Sequence, residues 1–390
     1  MHRKHRRAIA WVLILSMMLS PSMVYAQPAA DTADKGKTDN AKSTGGEKPS
    51  LGYITPTAVA AIVAFPRRVL TSSTAEMMPT EVFSAMGIQQ LGIDPMEVEQ
   101  LIGMVEPPTM GPPAFGLVLQ MKNPVGEEKI LPSLWEKTEE AELDGKKYQK
   151  GMTPMDVSIY RDGNTIIIAH DDLLHKMLSN NAKPESGKIS QTLGRVSPSP
   201  DVLAMVWFEP MRPMISAMGS QMPLPPPLAD VVKLPELILT IGLKVNVSSD
   251  MNASLTIRAN DDAAAEQVAK TIDQLLDMAK QSTMAQAAAD AASNDPVMQA
   301  RGKYSERMTN RLIEAFRPVR KGNSLTLATS GNAQMQVATI GVLMGLLVPA
   351  VQAAREAARR AAATGGEVPG ILQMQPIGQP GNPPAEQPEQ

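Results

Sequence analysis

The residues best suited to chemistry are two histidines and two acids within six positions, His170-Asp171-Asp172-Leu173-Leu174-His175. On a helix, Asp171 and His175 stand four apart on one face. Together with His170 they form a candidate metal set, because imidazole nitrogen and carboxylate oxygen are donors that divalent cations accept. The competing reading, which the pattern favours, is that Asp171 or Asp172 caps a helix following an apolar strand, with negative charge near the helix's positive end. Nothing elsewhere in the sequence marks a further ligand.

Other catalytic chemistry finds little support. The chain has no cysteine, which removes disulfides, thiolate metal sites and thiol nucleophiles together. It contains no phosphate-cradling glycine loop, no GxSxG elbow and no HExxH motif. Acidic pairs such as Glu127-Glu128, Glu139-Glu140 and Asp261-Asp262 are sequence neighbours. On a helix such neighbours point apart rather than facing each other across a cleft. The 27 methionines are scattered rather than clustered, so they read as adaptable core filler and not as a copper array. Trp207 lies inside an apolar run and reads as core rather than as a sugar-stacking platform. The expectation is a protein that is not an enzyme and has no cofactor.

The elements that would position these residues form an α+β pattern. The run from Pro56 to Arg68 (PTAVAAIVAFPRR) lines up with the run from Pro200 to Arg212 (PDVLAMVWFEPMR). Each is a turn, an apolar strand and a proline that ends the strand and can open a helix. Farther on, Gly163-Asn164 and Gly322-Asn323 each precede an aliphatic strand, a hairpin signal. The two matches in the same order predict two tandem copies of one α+β unit, over 51–196 and 197–363. Each unit would be an antiparallel sheet with helices on one face. Helices are expected near 77–91, 127–141, 172–180, 262–292 and 296–316, with strands at 115–121, 236–247 and 253–259. The Pro-rich stretch 222–228 reads as a loop tip.

The ends speak of location. Residues 1–26 have a basic start (Arg3, Lys4, Arg6, Arg7), an apolar run and small residues before a cleavage point after Ala26, the three parts of a secretory signal. The formal charge is −3 overall and −7 without those four cations, which gives no long-range attraction for nucleic acid. Residues 27–50 and the Pro/Gly/Gln-rich 364–390 are too polar to bury a core and read as disordered linker and tail. The expected setting is the periplasm or cell envelope.

Residues 337–354 are eighteen uncharged positions followed by Arg355, Arg359 and Arg360. As a helix they measure about 27 Å, close to a hydrocarbon core of about 30 Å, and the arginines would stop transfer. Gly341 and Gly345 form a GxxxG pair through which two such helices could meet, giving a homo-oligomer. Pro349, Gln352 and the many small residues fit a packed domain helix equally well. The sequence therefore leaves open a membrane span or a long, apolar-to-basic C-terminal helix over 337–360.

The wording Ile340-Gly341-Val342-Leu343-Met344-Gly345-Leu346-Leu347-Val348-Pro349-Ala350-Val351-Gln352-Ala353-Ala354-Arg355-Glu356-Ala357-Ala358-Arg359-Arg360 resembles the helix of the prepilin-type proteins of planctomycetes. The similarity covers about one-twentieth of the chain. The resemblance implies a planctomycete origin and an envelope setting. In that family the helix is N-terminal, follows a Gly-Phe cleavage site and carries an early Glu. Here it is C-terminal, and Leu327 and Asn332 fall where the Gly and Glu would be. The rest of the chain has a softer similarity to secreted planctomycete proteins of unknown function. Three readings follow: an exported, non-catalytic envelope protein that binds or scaffolds a protein or envelope polymer; a membrane-tethered, pilin-like assembly component; and, third, a hydrolase of envelope polymers.

Overall fold

The computed structural model describes residues 49–73, 75, 80–107, 113–126, 138–152, 157–197, 200–219, 226–248 and 252–329. The signal segment, the cleavage point after Ala26, residues 27–48 of the expected linker, and the whole of 337–390 lie outside these residues.

Among the described residues, twelve antiparallel strands form one continuous sheet. The first half contributes β1 (Ala60–Ala64), β2 (Val98–Val105), β3 (Phe115–Met121), β4 (Thr138–Leu143), β5 (Lys146–Gly151), β6 (Val157–Asp162) and β7 (Thr165–His170). The second contributes β8 (Val202–Trp207), β9 (Ile238–Asn246), β10 (Asn252–Ala259), β11 (Val319–Lys321) and β12 (Ser324–Thr329). Their spatial order is β11-β12-β10-β9-β8-β1-β2-β3-β7-β6-β5-β4. The halves meet where β1 pairs with β8, Ala61 opposite Met205. Outward from that seam, β1-β2-β3-β7 and β8-β9-β10-β12 follow the same succession. Shared succession is a topological fact and does not establish that the halves are copies.

Local chemistry explains the connections. Asp144 and Gly145 both have positive φ, 50° and 76°, the two-residue turn whose twist suits a hairpin, here β4–β5. Gly163 and Gly322, also at positive φ, open the turns of β6–β7 and β11–β12. Pro66 stands in the first turn of α1 (Pro66–Leu70), where its missing N–H costs nothing. The helix α2 covers Thr80–Leu91. After β7 come α3 (Asp171–Ala182) and α4 (Lys188–Gly194). The second half adds α5 (Arg212–Gly219), α6 (Leu234–Leu237) and a helical hairpin, α7 (Asp262–Ala291) with α8 (Pro296–Ala315). Asp261 caps α7 by accepting from the Ala264 N–H at 2.7 Å, and Asp295 caps α8 by accepting from Val297 at 2.8 Å.

Two expectations are corrected. The segment expected as a helix to residue 141 is strand β4 from Thr138, with 127–137 outside the described residues. Strand β2 occupies a stretch where no strand was expected. The helices of the two halves lie on opposite faces of the common sheet: α3 and α4 pack over Val63, Ile102, Val118 and Ile167, whereas α7 packs over Leu243, Leu255, Ile257 and Leu327. Cross-strand partners project to the same side, and strand register places those two sets on opposite faces. Of the Pro-rich stretch, Pro226 and the residues after it begin a 3-10 segment, Pro226–Lys233.

We call the side bearing Val63 the front and the side bearing Ile62 the back. The back row Ile62–Ala204–Leu243–Leu255–Leu327 is apolar across the second half, and Leu117, Ile168 and Ile159 continue an apolar back in the first.

Candidate functional site: a polar cluster and a bare sheet face

The histidine cluster is split by strand parity. His170, last residue of β7, stands opposite Val157 on the back. Its Nδ1 accepts the Phe115 N–H at 3.1 Å, and its ring meets that of Phe115 edge-on at 4.6 Å. Burial holds this imidazole below its ordinary pKa. Asp171 and His175 belong to the front. The Asp171 carboxylate accepts the Ser158 hydroxyl at 2.8 Å, has Lys150 Nζ at 3.7 Å, and lies 3.8 Å from His175 Nε2. Nε2 of His175 is 2.9 Å from the Tyr148 hydroxyl. Burial, then the Asp171 charge, pushes the Tyr148 hydroxyl pKa up.

The chemistry of this arrangement is a bracket between α3 and the β5–β6 edge. Ser158 is fully buried, takes the Gly151 N–H and gives its proton to Asp171 rather than to an imidazole, so it is not an activated nucleophile. The structure brings Asp171 and His175 together and leaves His170 on the other face. Among the described residues no three His, Asp or Glu side chains converge as metal ligands. The expected cap is also revised: His170 is the N-cap residue without a side-chain cap bond, and Asp171 and Asp172 lie in the first turn, where their charge still favours the helix start. The remaining sequence candidates, Gly341, Gly345, Pro349, Arg355, Arg359 and Arg360, lie outside the described residues.

Two stronger polar clusters escaped the sequence reading. Glu106, 4% exposed, accepts the Thr55 and Thr57 hydroxyls and the Lys176 ammonium, each at 2.6 Å. Burial pushes its pKa up, but the bonds from Lys176, Thr55 and Thr57 prevail and leave it below the usual carboxylate value. Asp201, 1% exposed, accepts from Arg68 Nε at 2.6 Å, from the Val247 and Ser248 N–H groups at 2.6 and 2.7 Å, and from the Ser248 hydroxyl at 2.8 Å. It ties α1, β8 and the end of β9 at the seam. A third buried acid, Asp290 in α7, is held by Arg301 of α8 at 2.9 Å. Each buried acid thus has its own cation on a different element.

The front changes character at one strand boundary. One row runs Tyr148–Tyr160–Ile167–Val118–Ile102–Val63–Leu203, every member buried. The same row then continues Lys244–Ser254–Ala328. The next rows read Met205–Gly242–Thr256–Thr326–Val319 and Trp207–Thr240–Arg258–Ser324–Lys321. Lys244, Arg258, Lys321 and Val319 are exposed, and no described helix packs over them. With strands about 4.8 Å apart and a rise of about 3.4 Å per residue, the polar platform spans roughly 20 by 14 Å. Trp207 stands at its border, with Lys188 4.4 Å above the ring and its indole N–H donated to Glu209.

No protein-family model matches the chain. No curated protein matches it either. Among solved structures, crystal form I of TP0453 is similar at 11% identity and TM-score 0.35, covering 75% of this chain and 96% of that one. A likeness that weak carries no argument, and the α+β assignment rests on the sheet and helices described above.

Proposed function

We propose that this is an exported, non-catalytic protein of the cell envelope whose role is to bind or scaffold a protein or an envelope polymer. The observation that carries the reading is the bare polar platform on the front of β9, β10, β11 and β12. A sheet face that is neither covered by described helices nor built into a core is available for recognition. The residues that could do catalysis are spent on internal bonds: Ser158 on Asp171, His175 on Tyr148, and Glu106 on Lys176. The basic, apolar and small-residue succession of 1–26 supports export. Cell fractionation tests the setting, with the mature chain beginning after Ala26 expected in the envelope fraction. Recovery of the protein in the cytosol would defeat the reading.

A second reading is a membrane-tethered, pilin-like component held by residues 337–360. One observation favours it. The segment begins eight residues after the end of β12 at Thr329, and the front face beside β12 offers Lys244, Thr256 and Arg258 rather than an apolar floor. An apolar helix laid there would strip water from two cations without pairing them. A lipid core is the better cover for 337–354. Among the described residues no helix is long and apolar enough to cross a membrane. Extraction with alkaline carbonate tests the tether: the mature chain should stay in the membrane pellet, and release into the wash would eliminate this reading.

A further inference from the structure

We infer that the front platform of the second half binds an acidic polysaccharide, with Lys244, Arg258 and Lys321 meeting its carboxylates and the intervening hydroxyls meeting its sugar hydroxyls. The inference rests on the binding role proposed above and names the surface and the partner chemistry.

The first support is single-sign charge. Ordinary solvated faces mix both signs, and the far edge of the sheet does so, Glu139 standing opposite Lys150 and Glu142 opposite Lys147. On the platform the cations face neutral groups instead: Lys244 is opposite Ser254, Arg258 lies between Thr240 and Ser324, and Lys321 is opposite Ser324. No Asp or Glu occupies a front position on β9, β10, β11 or β12. None of the three cations has an ion pair or side-chain hydrogen bond among the described residues, whereas Arg317 and Arg320 nearby face Asp273, Asp277 and Glu266. Three unpaired cations on a chain of net charge −3 mark a face that attracts an anion.

The second support is the floor between them. Thr240, Ser254, Thr256, Ser324 and Thr326 present hydroxyls that both donate and accept, which matches the hydroxyls of a sugar. Gly242 lies at the centre, and a Cβ there would come only within 3.9 Å of Ala204 O and 4.0 Å of Thr256 O. Sterics therefore do not demand glycine in this strand interior, and its effect is to lower the floor where a ligand could approach the backbone. By strand geometry Arg258 and Lys321 are about 10 Å apart, Lys244 and Arg258 about 14 Å, and Lys244 and Lys321 about 20 Å. That spacing suits a chain with separated carboxylates better than duplex nucleic acid, which carries one charge per about 1.7 Å of axis.

The test uses the full chain in affinity co-sedimentation with polygalacturonate at low and physiological salt. Neutral dextran, polyglutamate, duplex DNA and phosphatidylglycerol vesicles run in parallel. Polygalacturonate should be retained, with affinity falling as salt rises, and the other four should not. The triple variant Lys244→Gln/Arg258→Gln/Lys321→Gln should lose at least about tenfold in affinity, a change of about 1.4 kcal/mol. Gly242→Val keeps every charge and fills the floor; it should retain its unfolding midpoint and lose polygalacturonate. Undiminished retention by the well-folded triple variant would overturn the assignment of the surface. Absence of polygalacturonate binding, or equal retention of polyglutamate, DNA or vesicles, would overturn the partner class. A protein that fails here yet fractionates with the envelope keeps the broader binding role through another surface.

Discussion

On its two sides of the β1–β8 seam the sheet carries the same succession of strands over very different front surfaces. In the first half the front is floored by Val63, Ile102, Val118 and Ile167 and roofed by Leu173, Leu174, Met177, Ile189 and Leu193 from α3 and α4. In the second half the same rows hold Lys244, Thr256 and Arg258, and the helical hairpin lies on the back. A sheet half needs only one apolar face to fold. The first half has two, and the second has one to spare for water or a ligand. What differs between the halves is therefore which faces the described helices enclose, and with them where buried stability resides.

That contrast can be broken in steps. The largest effect is expected at the seam: Asp201→Ala removes a buried carboxylate that accepts from Arg68, Val247 and Ser248, and should cost about 3 to 5 kcal/mol in denaturant unfolding. Ile167→Ala, in the enclosed front row and fully buried, should cost about 2 to 5 kcal/mol by the cavity it leaves. A loss below about 1 kcal/mol would mean that the first-half front is not a packed core.

Glu106→Gln should cost about 2 kcal/mol near neutral pH, because the Lys176 pair is lost while both threonine bonds keep a carbonyl acceptor. Since the folded pKa of Glu106 lies below its ordinary value, its contribution is complete above the unfolded carboxylate pKa of about 4.3. It fades as pH falls through the folded pKa. The variant and the parent should converge in acid, and a difference that persists at low pH would assign the effect to packing instead. The smallest change is expected on the platform: Thr256→Ala, half-buried in the open row, should shift stability by no more than about 0.5 kcal/mol. A larger loss would mean that something covers the second-half front as well.

Much of this architecture was legible from local rules. Gly163-Asn164 and Gly322-Asn323 marked two hairpins because positive φ is nearly the property of Gly, Asn and Asp, and Asp144-Gly145 turns a third by the same rule. The helices of the α7–α8 hairpin were expected over 262–292 and 296–316 and lie at Asp262–Ala291 and Pro296–Ala315. Strand β2 was hidden because both its faces are buried, Gln100 as fully as Leu101 and Ile102, which erases the period-two signal. Strand β4, with Glu139, Glu140 and Glu142, reads locally as helix; its opposite charges lie on β5, where Lys147 and Lys150 stand across from it. For the clusters at Glu106 and Asp201 the sequence offered no signal, since Thr55 and Lys176 are 51 and 70 residues from Glu106 and Arg68 is 133 from Asp201.

The alternation in β10, with Asn252, Ser254, Thr256 and Arg258 against Ala253, Leu255, Ile257 and Ala259, was fixed by sequence alone, because successive side chains of a strand must point to opposite sides. So were the turns at Gly163-Asn164 and Gly322-Asn323 and the absence of thiol chemistry. Only the tertiary structure decided which side each helix covers, that His170 and His175 face away from each other, and that three cations gather on a surface no described helix covers. Those outcomes depend on strand order and register, which bring together residues from distant parts of the chain and are recorded in no local pattern.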